Sequence, residues 1–210
     1  MNLIESIYYF SLSSALPGII YLIRLSKIGY RHIILLAYSS IATLVEILCH
    51  YSCNISPIIG NVYVLFEALL LYTLIAKWQP KSIYTNRILT FSVIILAWLV
   101  SSLSIGFNQR DTLFRVLYSF LLVIGSINVI NYLLFENKTL FSDFRFLICI
   151  SILIFYTFNI IVETFCLTEM KFSKNFILKL FYVKVAFNLV GNILFTIAIL
   201  CIPKKPRFIL

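Results

Sequence analysis

Six ionisable side chains interrupt the apolar segments of this sequence, at positions where charge is costly. They are Glu46, His50, Glu67, Arg115, Glu163 and Lys184. On insertion scales an Arg, Lys or Asp at the centre of a membrane helix costs about 2.5–3.5 kcal/mol, so such groups usually face the interior of a helix bundle and mark a site. Carboxylates beside cations and a histidine could bind a polar ligand or act as acid and base.

Spacing places several of these groups on shared helix faces. Glu46 and His50 are four residues apart, and so are Asn159 and Glu163. Side chains four residues apart lie one above the other on a helix. Each pair is therefore expected to point in one direction.

Amide side chains extend the same pattern in two other helices. Lys184, Asn188 and Asn192 step by four, and Asn61 lies one to two turns before Glu67. Amides also serve as hydrogen-bonding contacts between membrane helices, and cations near helix ends can reach the headgroups, so these simpler interpretations stay open. We predict a ligand-binding set consisting of Glu46, His50, Asn61, Glu67, Arg115, Asn159, Glu163, Lys184 and Asn188, with no catalytic residue assigned.

Composition indicates that lipid is the solvent around these residues. Of 210 residues, 61% are hydrophobic and only 12% are charged, and the mean hydropathy is +1.01. Soluble domains are close to half apolar and a quarter charged. The net charge of +9 comes from cations dispersed between apolar segments, which is typical of membrane topology and headgroup contact and does not indicate nucleic-acid binding.

Long apolar runs predict an all-α, polytopic bundle of about seven transmembrane helices in a single domain. A helix needs roughly 20 residues to cross the ~30 Å hydrocarbon core, and the runs are continuous and do not alternate as barrel strands do. Pro17 is expected to kink the first span or to mark a turn. The predicted spans are 5–23, 33–52, 58–76, 88–108, 112–135, 146–167 and 177–202.

The distribution of Lys and Arg predicts the orientation. One side carries 11 cations, and the other carries at most six. The positive-inside rule then places the N-terminus outside and the C-terminus in the cytoplasm. The 11 are Arg24, Lys27, Arg31, Lys77, Lys81, Arg87, Lys138, Arg145, Lys204, Lys205 and Arg207.

Helix order predicts that the six ionisable groups share one half of the bilayer. Glu46 lies about 10 Å below the end of the second helix, and Glu67 about 14 Å below the start of the third, at helical rise. Arg115, Glu163 and Lys184 lie near the same outer ends of their helices. The sequence therefore predicts a polar pocket in the outer half.

Cysteine and histidine patterns give no metal or cofactor site. The five cysteines show no CxxC spacing and no zinc pattern. Cys53 and Cys166 are both expected near the outer face, where an oxidising compartment would allow a disulfide.

Two short stretches resemble small bacterial seven-helix membrane proteins of about this length, a group without an assigned activity. They are Asn61-Val62-Tyr63 followed by Glu67, and the run from Asn188 to Phe195. The resemblance implies the helical architecture and a location in a bacterial inner membrane, and it carries no function with it.

Better-known seven-helix families fit less well. Lys184 is the only counterpart for the retinal-binding lysine of microbial rhodopsins, but Leu180 stands where that family has Asp. Zinc-dependent seven-helix hydrolases need three histidines, and this chain has two, His32 and His50. Rhomboid-type proteolysis lacks its GxSxG motif.

Three classes of function remain, and the first is favoured. In the first class, the protein binds or transports a small polar or amphiphilic molecule. In the second, it is a subunit whose carboxylates meet cations on a partner. In the third, it is an enzyme that uses a carboxylate and His50 on a lipid-like substrate. The favoured class rests on polar residues contributed by five different helices, and it makes an enzymatic role the weaker expectation. Membrane lipids are the one partner common to all three classes.

Overall fold

Seven α-helices contain most of the described residues, and no strand occurs among those residues. The structure is a computed structural model that describes residues 12–28, 32–51, 56–79, 87–136, 140–167 and 172–203. Short 3-10 turns occur at Leu12–Ser14 and Leu140–Ser142. The helices are α1 Ala15–Ile28, α2 Ile33–Tyr51, α3 Ser56–Ala76, α4 Arg87–Ile105, α5 Thr112–Glu136, α6 Phe144–Leu167 and α7 Lys174–Cys201.

Six helices begin and end within three residues of the predicted spans, and the first differs. The predicted span was 5–23, whereas α1 runs from Ala15 to Ile28, and residues 1–11 lie outside the described part. Pro17 is the third residue of α1. Proline is tolerated in a first turn, because the N–H that it lacks has no intrahelical acceptor there. Pro17 therefore lies at a helix start and does not kink a longer helix.

Five of these helices are long and apolar enough to cross a membrane, which indicates a multi-pass membrane protein. They comprise Pro57–Ala76, Ile88–Ile105, Thr112–Glu136, Phe144–Leu167 and Leu178–Cys201. The apolar part of α2, Ile33–Leu48, is shorter. The 14 residues of α1 span about 21 Å at helical rise, less than the hydrocarbon core.

The end of α4 is set by a glycine. The helix stops at Ile105, three residues before the predicted end at 108, and Gly106 follows with φ 94°. Glycine adopts positive φ without a side-chain clash. The Gly106 N–H still donates to the Ser102 carbonyl at 3.0 Å, so the chain leaves the helix in one tight turn toward α5.

The bundle centre lies where α6 packs between α5 and α7. Leu122 of α5, with Ile148 and Ile152 of α6, are fully buried there. The first and last helices of the described chain meet, because α1 packs against both α2 and α7. Arg24 of α1 donates to the carbonyl oxygens of Ile199 and Ile202, at the C-terminal end of α7, where unpaired carbonyls favour a cation.

α4 lies at the edge of the bundle, against α3 and α5. Its outward face carries Ile88, Leu96 and Leu103, all more than half exposed. In water such a face would be unfavourable, but in a bilayer it meets lipid chains. Among the described residues, none from α4 lines the polar cavity inside the bundle.

Candidate functional site

A polar cavity of about 280 Å³ lies inside the bundle. Helices α2, α3, α5, α6 and α7 all contribute side chains to it, together with the turn before α1 and the α4–α5 connection. Its volume is at the lower limit of ligand pockets, which are commonly about 300–1,000 Å³. Its charged and amide lining residues are Glu46, Glu67, Arg110, Arg115, Asn159, Lys184, Asn188 and Asn192.

Glu67 is held by two tyrosine hydroxyls. The Tyr63 hydroxyl donates to its Oε1 at 2.9 Å, and the Tyr118 hydroxyl donates to its Oε2 at 2.7 Å. The side chain is only 5% exposed, and within the described ranges no Lys or Arg forms an ion pair with it. A carboxylate has about four acceptor sites, so Glu67 can accept further hydrogen bonds from a bound group.

Glu163 differs from Glu67 because it is paired with two cations. Lys184 Nζ lies 2.7 Å from its Oε1, and Arg110 also pairs with that oxygen. The carboxylate is fully buried, while the side chains of Lys184 and Arg110 are 17% and 39% exposed. The Arg110 guanidinium lies 5.2 Å from the centre of the Phe181 ring, a contact that is favourable for a cation.

Arg115 reaches from α5 to the backbone of α3. Its Nη2 donates to the Gly60 carbonyl at 3.0 Å. A Cβ on Gly60 would lie 3.3 Å from that nitrogen, so the absence of a side chain there admits the guanidinium. Since Arg115 has no ion pair to an acidic residue in the described part of the chain, its charge is available at the cavity wall.

Amide and hydroxyl groups complete the α6 and α7 walls. Asn159 donates to the Ser119 hydroxyl at 2.8 Å. Asn192 donates to the Ser13 hydroxyl at 2.9 Å and to Asn188 Oδ1 at 3.3 Å. These bonds hold the amides between helices and leave Asn188 on the cavity surface.

Glu46 lies at the α1–α2 side of the cavity. Its Oε2 accepts a hydrogen bond from the Ser14 hydroxyl at 3.1 Å, and the Ser14 and Thr43 hydroxyl oxygens are 3.2 Å apart. Ser14 itself is fixed because its carbonyl accepts from Ser39 Oγ at 2.5 Å. The turn before α1 therefore forms part of the cavity wall.

Asn61 lies outside the cavity lining and clamps the α4–α5 connection to α3. Its Nδ2 donates to the Gln109 carbonyl at 2.7 Å, and its Oδ1 accepts from the Asp111 N–H at 3.0 Å. Asp111 in turn accepts from Ser101 and Ser102 at 2.5 and 3.0 Å, and from the Phe114 N–H at 3.0 Å. Asp111 thus caps the start of α5, and the clamp positions the adjacent Arg110.

The structure gathers six of the nine predicted residues around the cavity, places Glu163 and Asn61 differently, and does not describe the side chain of His50. The six are Glu46, Glu67, Arg115, Asn159, Lys184 and Asn188. Glu163 lies behind the lining, bonded to two lining cations, and Asn61 is engaged in the clamp. The side chain of His50 and the whole of Cys53 lie outside the described part, while Cys166 is exposed at the end of α6.

Sequence reasoning missed Arg110 and the two tyrosines. Arg110 was counted only as a cation outside the spans, because the clamp that turns it inward joins α3 to a loop. Tyr63 is four residues from Glu67, and that spacing could have identified it. Tyr118 approaches Glu67 only through the packing of α5 on α3 and has no comparable sequence signal.

The chain was compared with protein-family models, with curated proteins and with solved structures, and it matches none of them. Its chemistry must therefore be argued from the site. Among the described residues no cluster of three or more His, Cys, Asp or Glu could hold a metal ion. The cavity provides hydrogen-bonding groups and charged groups of both signs in a small volume.

Proposed function

We propose that this protein is a multi-pass membrane protein that binds or transports a small polar or amphiphilic molecule in its central cavity. The observation that carries the proposal is the convergence of charged side chains from α2, α3, α5, α7 and the α4–α5 connection on one cavity. Each such group is costly to insert into a membrane. Four helices and one connection supply charged groups to a single cavity, which points to a common ligand, because packing contacts alone would need only neutral groups.

The proposed topology has seven spans, an external N-terminus and a cytoplasmic C-terminus, in a bacterial inner membrane. If the protein has seven spans, α1 is the first of them, and residues before Ala15 must complete its crossing of the membrane. Orientation rests on the excess of 11 cations against at most six. In this orientation Arg110 and the α4–α5 connection face the exterior, so the cavity lies nearer the outer surface than the inner one.

The burial of Glu67 favours ligand binding over a subunit role. Carboxylates that dock a partner chain should lie on a lipid-facing stripe, whereas Glu67 is almost fully buried and bonded to tyrosines from two helices. The enzymatic alternative uses a carboxylate with His50, whose side chain lies outside the described part of the chain.

A native mass spectrum of the protein extracted in a mild detergent tests the proposal. We expect a stoichiometric small-mass adduct on the unaltered protein, and a loss of that adduct in the Glu67→Gln variant. The substitution keeps the shape of the side chain and removes its charge. Glu136→Gln is the matched control, because Glu136 is an exposed carboxylate at the far end of α5.

Two results would contradict ligand binding. One is a second polypeptide that co-purifies without any small adduct, which would indicate an assembly subunit. The other is an adduct whose occupancy is the same in the Glu67→Gln and Glu136→Gln variants, which would place the bound molecule elsewhere. Retention of the elution volume in size-exclusion chromatography and of helical circular dichroism would confirm that both variants fold.

A further inference from the structure

The cavity keeps its positive and negative groups at different depths. Arg115 contacts the Gly60 carbonyl, and Glu67 lies seven residues further along α3. Seven residues of helix correspond to about 10 Å. Measured along α3, the backbone carbonyl that Arg115 contacts therefore lies about two turns closer to the helix start than the backbone of Glu67.

The positive region has an excess of charge. Arg110, Arg115 and Lys184 line the cavity, and among the described residues Glu163 is the one carboxylate with which any of these three pairs. Within this group three positive charges stand against one negative charge, while the two lining carboxylates bond elsewhere, Glu46 to Ser14 and Glu67 to two tyrosines. Cations held this close in a low-dielectric region repel one another, so an acidic group placed between them would be stabilised.

The negative region has the opposite character. Glu67 receives two neutral O–H donors and, within the described ranges, no cation. Tyr38, Tyr63 and Tyr118 all line the cavity beside it. A carboxylate among tyrosine rings is suited to a positively charged nitrogen, which can donate to the carboxylate and rest against the ring faces.

We propose that the ligand is a small zwitterion. Its positive nitrogen lies against Glu67 between Tyr63 and Tyr118, and its acidic group lies toward Arg115 and Lys184. This inference rests on the proposed function and narrows its ligand class. Internal pairing of Glu67 with a cation would remove the need for such a ligand, but the described cations are directed to Glu163 and to the Gly60 carbonyl instead.

Three probes of equal chain length separate the contributions of the two charges. They are 5-aminopentanoate, pentylamine and pentanoate, added to the 210-residue chain in lipid nanodiscs. Binding is measured as the ligand-dependent rise in the temperature of thermal unfolding. We expect 5-aminopentanoate to bind at least about tenfold more tightly than either singly charged probe, since each added charge pair in a buried site contributes more than one factor of ten.

Two charge-removing variants assign the ends of the probe. Glu67→Gln should weaken pentylamine and 5-aminopentanoate binding by about tenfold or more and leave pentanoate binding unchanged. Lys184→Gln should weaken pentanoate and 5-aminopentanoate binding and leave pentylamine binding unchanged. Lys179→Gln is the control on the same helix, because Lys179 is exposed and is not part of the cavity. The probe series on the unaltered protein remains decisive even if a variant fails to fold.

The outcomes distinguish this inference from the proposed function. If pentanoate binds as tightly as 5-aminopentanoate and Glu67→Gln has no effect on either, the zwitterion is refuted, and the adduct seen in the native spectrum identifies an anion instead. If pentylamine alone matches 5-aminopentanoate, the acidic end is refuted. If no probe binds and the native adduct is also absent, the inference and the proposed function fail together.

Discussion

Removal of the Glu163 charge tests how the cavity wall is held together. Glu163 is fully buried and pairs with Lys184 at 2.7 Å and with Arg110. Glu163→Gln preserves the volume of the side chain but leaves Lys184, which is 17% exposed, without its opposite charge. Breaking a buried pair by removing one partner typically costs about 3–5 kcal/mol.

The magnitude depends on the exposure of each cation. Arg110 is 39% exposed, so its ion pair is screened and should contribute about 0–1 kcal/mol. Lys184 is less exposed than Arg110, so the loss of its ion pair accounts for most of the expected destabilisation. We therefore expect Glu163→Gln to lower the free energy of unfolding by about 3 kcal/mol, the lower end of the range for buried pairs.

A double-mutant cycle separates the pair from the individual side chains. The cycle contains Glu163→Gln, Lys184→Met and the double variant, each unfolded reversibly in mixed micelles of increasing denaturing-detergent content. The double variant should cost about 2 kcal/mol less than the sum of the two single variants, within the usual 0.5–3 kcal/mol for contacting residues. Single costs that add within about 0.5 kcal/mol would refute a direct charge interaction.

Three further substitutions test the clamp and the α1–α2 contact, the third as a comparison for the second. Asn61→Ala should lower the free energy of unfolding by about 1–3 kcal/mol, because the buried Asp111 N–H loses its acceptor. An unchanged free energy of unfolding in mixed micelles would contradict the clamp. Gly18→Ala should cost about 1–3 kcal/mol, since its Cβ would lie 2.8 Å from Ser39 Oγ. Gly191→Ala, with a nearest contact of 3.3 Å, should cost less, and the reverse order in the same assay would refute the packing argument.

Much of the helical architecture could be read from the sequence because lipid restricts the choices available to the backbone. A chain in hydrocarbon must satisfy its own backbone hydrogen bonds, so a long apolar run has to be helical. Six helices accordingly lie within three residues of their predicted ends. The exception is α1, which runs from Ala15 to Ile28 where 5–23 was predicted; Pro17, expected to kink this span or to mark a turn, lies in the first turn of the helix.

Ionisable residues were also recognisable from the sequence, because they are rare in apolar segments. Glu46, Glu67, Arg115 and Lys184 were predicted to converge, and all four line one cavity. Helix order predicts their depth, since consecutive spans of a multi-pass protein alternate in direction. Whether they bind a ligand remains a prediction that the mass spectrum will test.

Only the tertiary structure decided which polar groups contact one another. The sequence alone gave no reason to pair Glu163 with Arg110, to direct Arg115 to a backbone carbonyl, or to make Asn61 a clamp. These contacts depend on the rotation of each helix about its axis and on the path of the α4–α5 connection.

Sequence periodicity reports which residues share a face of one helix, and the length of the apolar runs reports where each helix crosses. Neither reports which faces of two helices meet. The division of the cavity into a cationic region at Glu163 and a tyrosine-lined carboxylate at Glu67 is such a meeting of faces. It is set by side-chain packing between α3, α5, α6 and α7, and so it became visible only in the folded chain.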